Sequence, residues 1–260
     1  MSTVASAPGK IVLAGEYAVL WDAPAVSMAV NRRALATVSP NESGECRLAT
    51  PGFEGGDGFR IVDAVVNDAR PACDLELDTT AFTDNGKKTG IGSSAALTVA
   101  LLAALNKSTD IYEDALAAHS RLQAGVGSGV DVASAVHGGL IEYERANRSV
   151  RALTWPQGLE FRIIWTGVPA NTAERIEHLA NQARKASRSA LLLAVPRMRD
   201  AWASGEADAI LTEYVSYIGV LRQFSVDHDL GIFDAGHDEL TDAAMADGLV
   251  YKPAGAGGGD

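Results

Sequence analysis

The sequence predicts an α+β protein of two domains, and three observations predict it. Short apolar runs of strand character alternate unevenly with helical stripes in both halves, without the regular strand–helix repeat of a doubly wound sheet. The polar stretch Asn147–Gly158, with Trp155-Pro156 inside it, separates the two halves. The chain has 260 residues, 47% of them hydrophobic, enough for a sizeable core in one large or two ordinary domains. The expected division is 1–152 and 153–260.

Taken in order, Lys10–Ala14 is an apolar run entered from Pro8-Gly9 and reads as a buried strand, broken by Gly15-Glu16-Tyr17. Ala25–Val30 and Arg33–Ser39 read as two further strands. Asn41–Asp57, rich in Gly, Ser and Pro, reads as turn and loop. Ile61–Asn67 reads as a turn of helix and Leu75–Phe82 as a strand. Ser94–Leu105 is apolar nearly all round, which predicts a buried helix. Ile111, Tyr112, Ala115, Leu116, His119 and Leu122 recur at helical spacing and mark an amphipathic helix ending at Gly125. His119 on that apolar face reads as a satisfied core residue rather than a ligand. A Gly-rich turn then leads into a short helix through Val136, followed by a strand, Leu140–Tyr143.

In the second half, Leu159–Trp165 reads as a strand. Asn171, with Glu174 three residues on, reads as the cap of a helix that stops near Ser187. Pro196 argues against one uninterrupted helix from Ser189 to Ser204. Ala207, Ile210, Leu211, Tyr214, Val215, Ile218, Leu221 and Phe224 form a helical core stripe. Asp238–Ala246 reads as a helix and Leu249–Lys252 as a strand.

The formal net charge is -11, which argues against nucleic acid or an anionic membrane as the main partner. Two cysteines, Cys46 and Cys73, give neither a disulfide framework nor a metal spacing. The N-terminus lacks the pattern of a secretory signal, and no uncharged run is long enough to span a bilayer, so the expected location is cytoplasmic.

The stretch that carries chemistry is Thr89-Gly90-Ile91-Gly92-Ser93-Ser94-Ala95-Ala96. Two glycines let the backbone approach a ligand closely, and the helix that follows offers unpaired N–H groups and the positive end of its dipole. That combination takes an anion, most commonly a phosphate. The same residues also fit a loop ending in a serine cap. The dinucleotide fingerprint has this spacing too, but it should follow an apolar strand, and the lead-in Thr83–Lys88 is polar.

Three Gly-rich turns, near residues 90, 127 and 257, share the chain with a Pro-Gly-Lys strand at its front. Together they resemble the GHMP family of small-molecule kinases. Pro8-Gly9-Lys10 with Gly15-Glu16-Tyr17 is similar to that family's first motif, Gly90–Ala96 to its ATP-phosphate loop, and Lys252–Asp260 to its third motif. Gly-Glu-Tyr-Ala-Val-Leu, Gly127–Ala135 and the third motif are similar to the branch that phosphorylates 5-phosphomevalonate. The mevalonate branch is the nearest alternative, and a non-catalytic nucleotide-binding protein on this fold is a further one. The resemblance implies an N-terminal α+β domain with a left-handed βαβ unit, an exception to the usual hand. It also implies a ferredoxin-like C-terminal domain. In the family a further strand and helix follow the third motif, so that domain is expected to be truncated, smaller than usual or completed by a partner.

The resemblance also assigns roles. Gly90, Ile91, Gly92, Ser93, Ser94 and Ala95 would hold ATP, with Ser94 a Mg²⁺ ligand. Lys10 and Asp131 would be catalytic and would pair with each other. Lys10, Tyr17, Ser128, Asp131, Gly255, Ala256 and Gly257 would meet the acceptor. Three residues have plainer readings beside these: Ser128 and Asp131 have capping-box spacing, and Tyr17 fits a partly buried core tyrosine. Glu16 is read as structural, holding its turn. Some family members bring a metal-binding Glu from the helix before Asp131, whereas Ala118–Gln123 offers no carboxylate. The expected partners are ATP and a small-molecule phosphate acceptor; oligomeric state is open, a homodimer among the options.

Overall fold

A computed structural model describes residues 1–52, 58–66, 69–106, 108–168, 172–183 and 185–259. The chain divides into two compact units, each built from two pieces. One comprises Met1–Ile11 and Ala29–Gly139, the other Val12–Met28 and Leu140–Asp260. This division differs from a single boundary near residue 152, because a hairpin after residue 139 pairs with residues 25–28.

In the first unit, strand β1 (Thr3–Ala14) pairs with β2 (Ala25–Pro40). The two strands expected at Ala25–Val30 and Arg33–Ser39 are one. The polar residues between them are exposed rather than a break, and Arg33 ties the strand to β1 by donating to Ser6 Oγ and to the Ser6 carbonyl, both at 2.9 Å. A short β3 (Arg47–Ala49) lies inside the expected loop and pairs in parallel with β4. Residues 53–57 of that loop lie outside the described residues. Helix α1 (Phe59–Val66) is longer than the expected turn, and Asn67 is outside the described residues. β4 (Cys73–Asp78) pairs antiparallel with β2, Leu35 opposite Asp78 to Pro40 opposite Cys73. The run expected to stay extended to Phe82 instead tightens into a 3₁₀ turn, Thr80–Phe82. A small hairpin follows, β5 (Thr83–Asp84) with β6 (Lys87–Lys88).

The core of this unit surrounds α2 (Ser93–Leu105), a helix of alanines and leucines with no polar side. Nine of its 13 residues are buried, as its sequence predicts. Leu97 and Leu101 are fully enclosed, each worth about 1.5–3 kcal/mol of burial. α1, α3 (Ile111–Leu122), α4 (Val130–His137) and β4 all pack on α2. Arg121 on α3 donates to the Ala64 carbonyl at 2.9 and 2.6 Å, satisfying one of the carbonyls left open at the end of α1. Cys46 and Cys73 form no disulfide among the described residues.

In the second unit, β7 (Leu140–Glu144) pairs antiparallel with residues 25–28 of β2 and with β8 (Ser149–Leu153). The buried Glu142 on β7 takes Arg199 at 2.9 Å and is also paired with Arg151. Leu159–Trp165 and Leu249–Lys252 form no strands. Neither segment finds a ladder partner among the described residues, and Phe161, Ile163 and Ile164 stay about half exposed. Four helices complete the unit: α5 (Thr172–Ala180), α6 (Ala186–Ser204), α7 (Ala207–Asp227) and α8 (His237–Ala246). The expected cap Asn171 lies outside the described residues, and α5 ends at Ala180, short of Ser187.

α6 runs through Pro196, against expectation. Proline removes one backbone donor and costs roughly 3 kcal/mol inside a helix. Packing offsets that cost, because Leu191, Ala194, Val195, Met198 and Trp202 are buried and α6 lies along α7. On α7 the core stripe is Ile210, Tyr214, Tyr217, Ile218, Leu221 and Phe224; Leu211 and Val215, also expected there, are exposed.

Candidate functional site

The front of α2 is built by close approach of three segments. Lys10 donates its backbone N–H to the Ile91 carbonyl at 2.8 Å, which lays β1 against the Gly90–Gly92 turn. Gly92 occupies the cap position with φ 84°, in the left-handed region that favours glycine. A Cβ there would sit 3.1 Å from Lys10 Cγ and 3.4 Å from Cε, so the lysine side chain runs directly over this glycine. Ser93 and Ser94 open the helix. Their hydroxyls make no hydrogen bond among the described residues, and no side chain caps the helix. The serine-cap alternative is therefore not what forms. What remains is a first turn of unpaired N–H groups with no acidic residue in it, two free hydroxyls and one cation, with Ala95 buried behind. Such a start is suited to a polyphosphate.

The second Gly-rich turn, near residue 127, leads into α4. Gly129 caps that helix with φ 85° and no side-chain cap. Ser128 Oγ accepts from Val130 N–H at 3.4 Å, and Asp131 Oδ1 accepts from Val132 N–H at 3.0 Å. The reciprocal capping box is absent, because Gly129 rather than Ser128 holds the cap. Asp131 Oδ2 lies 3.9 Å from His119 Nε2. No ion pair joins Asp131 to Lys10 among the described residues, which corrects the expected pairing: Lys10 is drawn across Gly92 and the carboxylate turns towards α3.

The second unit gathers the other expected residues. Tyr17 is buried, and its hydroxyl donates to the Ala256 carbonyl at 2.8 Å, so the core-tyrosine reading and a place beside the third motif both hold. Burial pushes the Tyr17 hydroxyl up to about 12, against the pull of Arg175, so it remains a neutral donor at physiological pH. Arg175 Nη1 donates to the same carbonyl at 2.8 Å. Gly255 and Gly257 flank Ala256 in turns of positive φ. Glu16 is buried; Tyr217 donates to its Oε2 at 2.6 Å, and Lys252 pairs with its Oε1. Gly15 N–H donates to the Tyr217 hydroxyl at 3.1 Å, which closes the network. The structural reading of Glu16 is thereby given partners. Sequence reasoning missed Arg175, Tyr217 and the role of Lys252. The one available signal was Tyr217, a second tyrosine three residues after Tyr214 in the same helical segment.

The residues fit a magnesium nucleotide in one respect. Ser94 keeps a free hydroxyl in the first turn of α2, and Mg²⁺ takes few protein ligands because it keeps several waters. Among the described residues no group of three His, Cys, Asp or Glu side chains stands ready to hold a metal, and no helix is long and apolar enough to cross a membrane.

Three comparisons with known proteins bear on this geometry. The family model for the GHMP kinases N terminal domain matches residues 60–139. A phosphomevalonate kinase of Streptomyces sp. (strain CL190) is 31% identical, over 99% of this chain and 88% of its own length. A mevalonate kinase of Methanothermobacter thermautotrophicus is 34% identical over 58% of this chain and 53% of its own length. Among solved structures, Streptococcus pneumoniae phosphomevalonate kinase in complex with phosphomevalonate and AMPPNP superposes with a TM-score of 0.81. That match has 20% identity and covers 99% of this chain and 90% of that one; at this identity it speaks for the fold.

Proposed function

The chain belongs to the GHMP kinase family, and from that premise we propose that it transfers the γ-phosphoryl group of ATP to 5-phosphomevalonate, giving ADP and the 5-diphosphate. The observation that carries the reading is the open front of α2 with the Lys10 side chain drawn across Gly92. Phosphoryl transfer asks a protein for positioning and charge stabilisation more than for covalent help. The N–H groups after Gly90 and Gly92 and the Ser93 and Ser94 hydroxyls would hold the nucleotide phosphates. Ser94 would be the protein ligand of Mg²⁺, which when bound neutralises charge on the transferring phosphate. Lys10 would steady the acceptor phosphate and the transferring group. An acceptor phosphate oxygen forms the new bond to the γ-phosphorus while the bond to the β,γ-bridging oxygen breaks and its electron pair leaves on ADP.

A phosphate monoester has its second pKa near about 6 and is mostly ionised at neutral pH, so it needs little deprotonation. Asp131 would then orient the acceptor end of the site rather than take a proton. Tyr17, Ser128 and the Gly255–Gly257 turn would meet the acceptor. Mevalonate is the second reading, favoured by the 34% identity to an archaeal mevalonate kinase; there the acceptor is a hydroxyl and Asp131 would act as general base.

Turnover of MgATP with phosphomevalonate, mevalonate, homoserine and galactose separates these readings. Phosphomevalonate alone should give ADP. Turnover with mevalonate and not phosphomevalonate replaces the acceptor, and nucleotide binding with no turnover on any of the four leaves a non-catalytic binding protein.

A further inference from the structure

His119 is the one residue of this site whose surroundings disagree with its apparent role. It lies on α3, 2% exposed, where the sequence reads as plain core. Its Nε2 is buried and has no hydrogen-bond partner among the described residues. A desolvated polar atom left unpaired destabilises the fold that buries it. Leucine or methionine would fill the position without that cost, and the core that α3 and α4 join includes Ala115, Ala118, Val132 and Ala135. The orphan nitrogen is aimed at a particular group, for Asp131 Oδ2 stands 3.9 Å away across the α3–α4 packing. The other oxygen, Oδ1, is already held by Val132 N–H. One oxygen of the carboxylate is thus pinned and the other faces an unused buried donor.

We propose that His119 is the positioning residue for Asp131: in the loaded site Nε2–H donates to Oδ2 and fixes the rotation of the carboxylate. A shift of about 1 Å closes the gap to a charge-assisted hydrogen bond, and such bonds are commonly long without ligand and tighten in the complex. The neutral tautomer with its proton on Nε2 supplies the donor, so no change of charge is needed. With Val132 N–H on one side and His119 on the other, Asp131 presents a single orientation to the acceptor. The inference rests on the phosphotransferase reading of this site.

Two substitutions in the full chain test it. His119→Phe keeps ring volume and loses the donor; His119→Gln keeps an N–H at similar reach. His119→Phe should lower kcat about tenfold with KM for both substrates within about twofold, and His119→Gln should recover most of the loss. In an Asp131→Ala background, His119→Phe should cost nothing more, since the two act as one unit. Wild-type kcat in His119→Phe, or a full further loss in the Asp131→Ala background, overturns the proposal. A readout independent of turnover, and of whether His119→Phe folds, is the ring ¹⁵N spectrum of the unsubstituted protein with AMPPNP. It should show Nε2 protonated and displaced by Asp131→Ala; an Nε2 signal indifferent to Asp131 overturns the contact. If the unsubstituted chain turns over none of the four acceptors, the kinase reading fails while this spectrum still decides the pairing.

Discussion

Helices α2 and α3 follow one another along the chain and begin in opposite ways. α3 is closed by Asp110, whose side chain accepts from Tyr112 and Glu113 N–H groups at 3.1 and 3.2 Å. Two acidic residues, Glu113 and Asp114, then sit in its first turn and offset the dipole. α2 begins on a glycine, with no side-chain cap and no acidic residue. By the ordinary rules of helix stability α2 is the worse start, lacking a cap worth about 1 kcal/mol. It is nevertheless the more deeply buried helix, so packing holds it and its front is left free for an incoming phosphate. The difference teaches where to look for a site: at the helix start that its own sequence leaves unfinished.

The sharpest way to break this contrast is to remove the cation at the unfinished start. Lys10→Met should lower kcat by ~10³-fold while leaving the melting temperature nearly unchanged; steady-state kinetics beside thermal unfolding would check it. Next is Gly92→Ala, which forces a side chain into a left-handed position at about 1–2 kcal/mol and pushes Lys10 aside. Nucleotide affinity measured by calorimetry should fall at least about tenfold.

Asp131→Ala should cost less than Lys10→Met, about ten- to a hundredfold in kcat, because an ionised acceptor does not need a base. Equal losses in the two variants would point to a hydroxyl acceptor. The smallest effect belongs to the finished start. Asp110→Ala should cost about 1 kcal/mol of stability in denaturant unfolding and leave kcat and nucleotide affinity unchanged. A drop in nucleotide affinity there would erase the distinction between the two helices.

Much of the first unit was legible in the sequence. α2 announces itself through an uninterrupted apolar composition, and the two glycines before it state the turn. Lys10 and Gly92 lie 82 positions apart, yet a Pro-Gly-Lys strand and a Gly-rich loop are recognisable separately, so their meeting could be anticipated from the motifs. The orphan on His119 could not, because a buried histidine on an apolar stripe looks alike whether or not its nitrogen is satisfied. The Lys10–Asp131 pairing failed for the same kind of reason: which way a side chain turns depends on neighbours that periodicity does not encode.

In the second unit, strand composition misled at Leu159–Trp165 and Leu249–Lys252, since a strand exists only when another strand is there to bond it. Pro196 misled in the other direction. A local rule against helix gave way to the burial of five α6 side chains, Leu191, Ala194, Val195, Met198 and Trp202.

The burial of Glu16 sets an order of events for the chain as it is made. Its hydroxyl partner is 201 residues later and its ammonium partner 236 residues later. At a synthesis rate of roughly 5–20 residues per second, the acid emerges ten seconds or more before anything exists to neutralise it. Until then it must stay hydrated, since a lone carboxylate does not enter an apolar interior. The residues around Tyr17 therefore wait for the far end of the polypeptide, and this half of the molecule matures after translation has passed Lys252 while the α2 core can already have condensed.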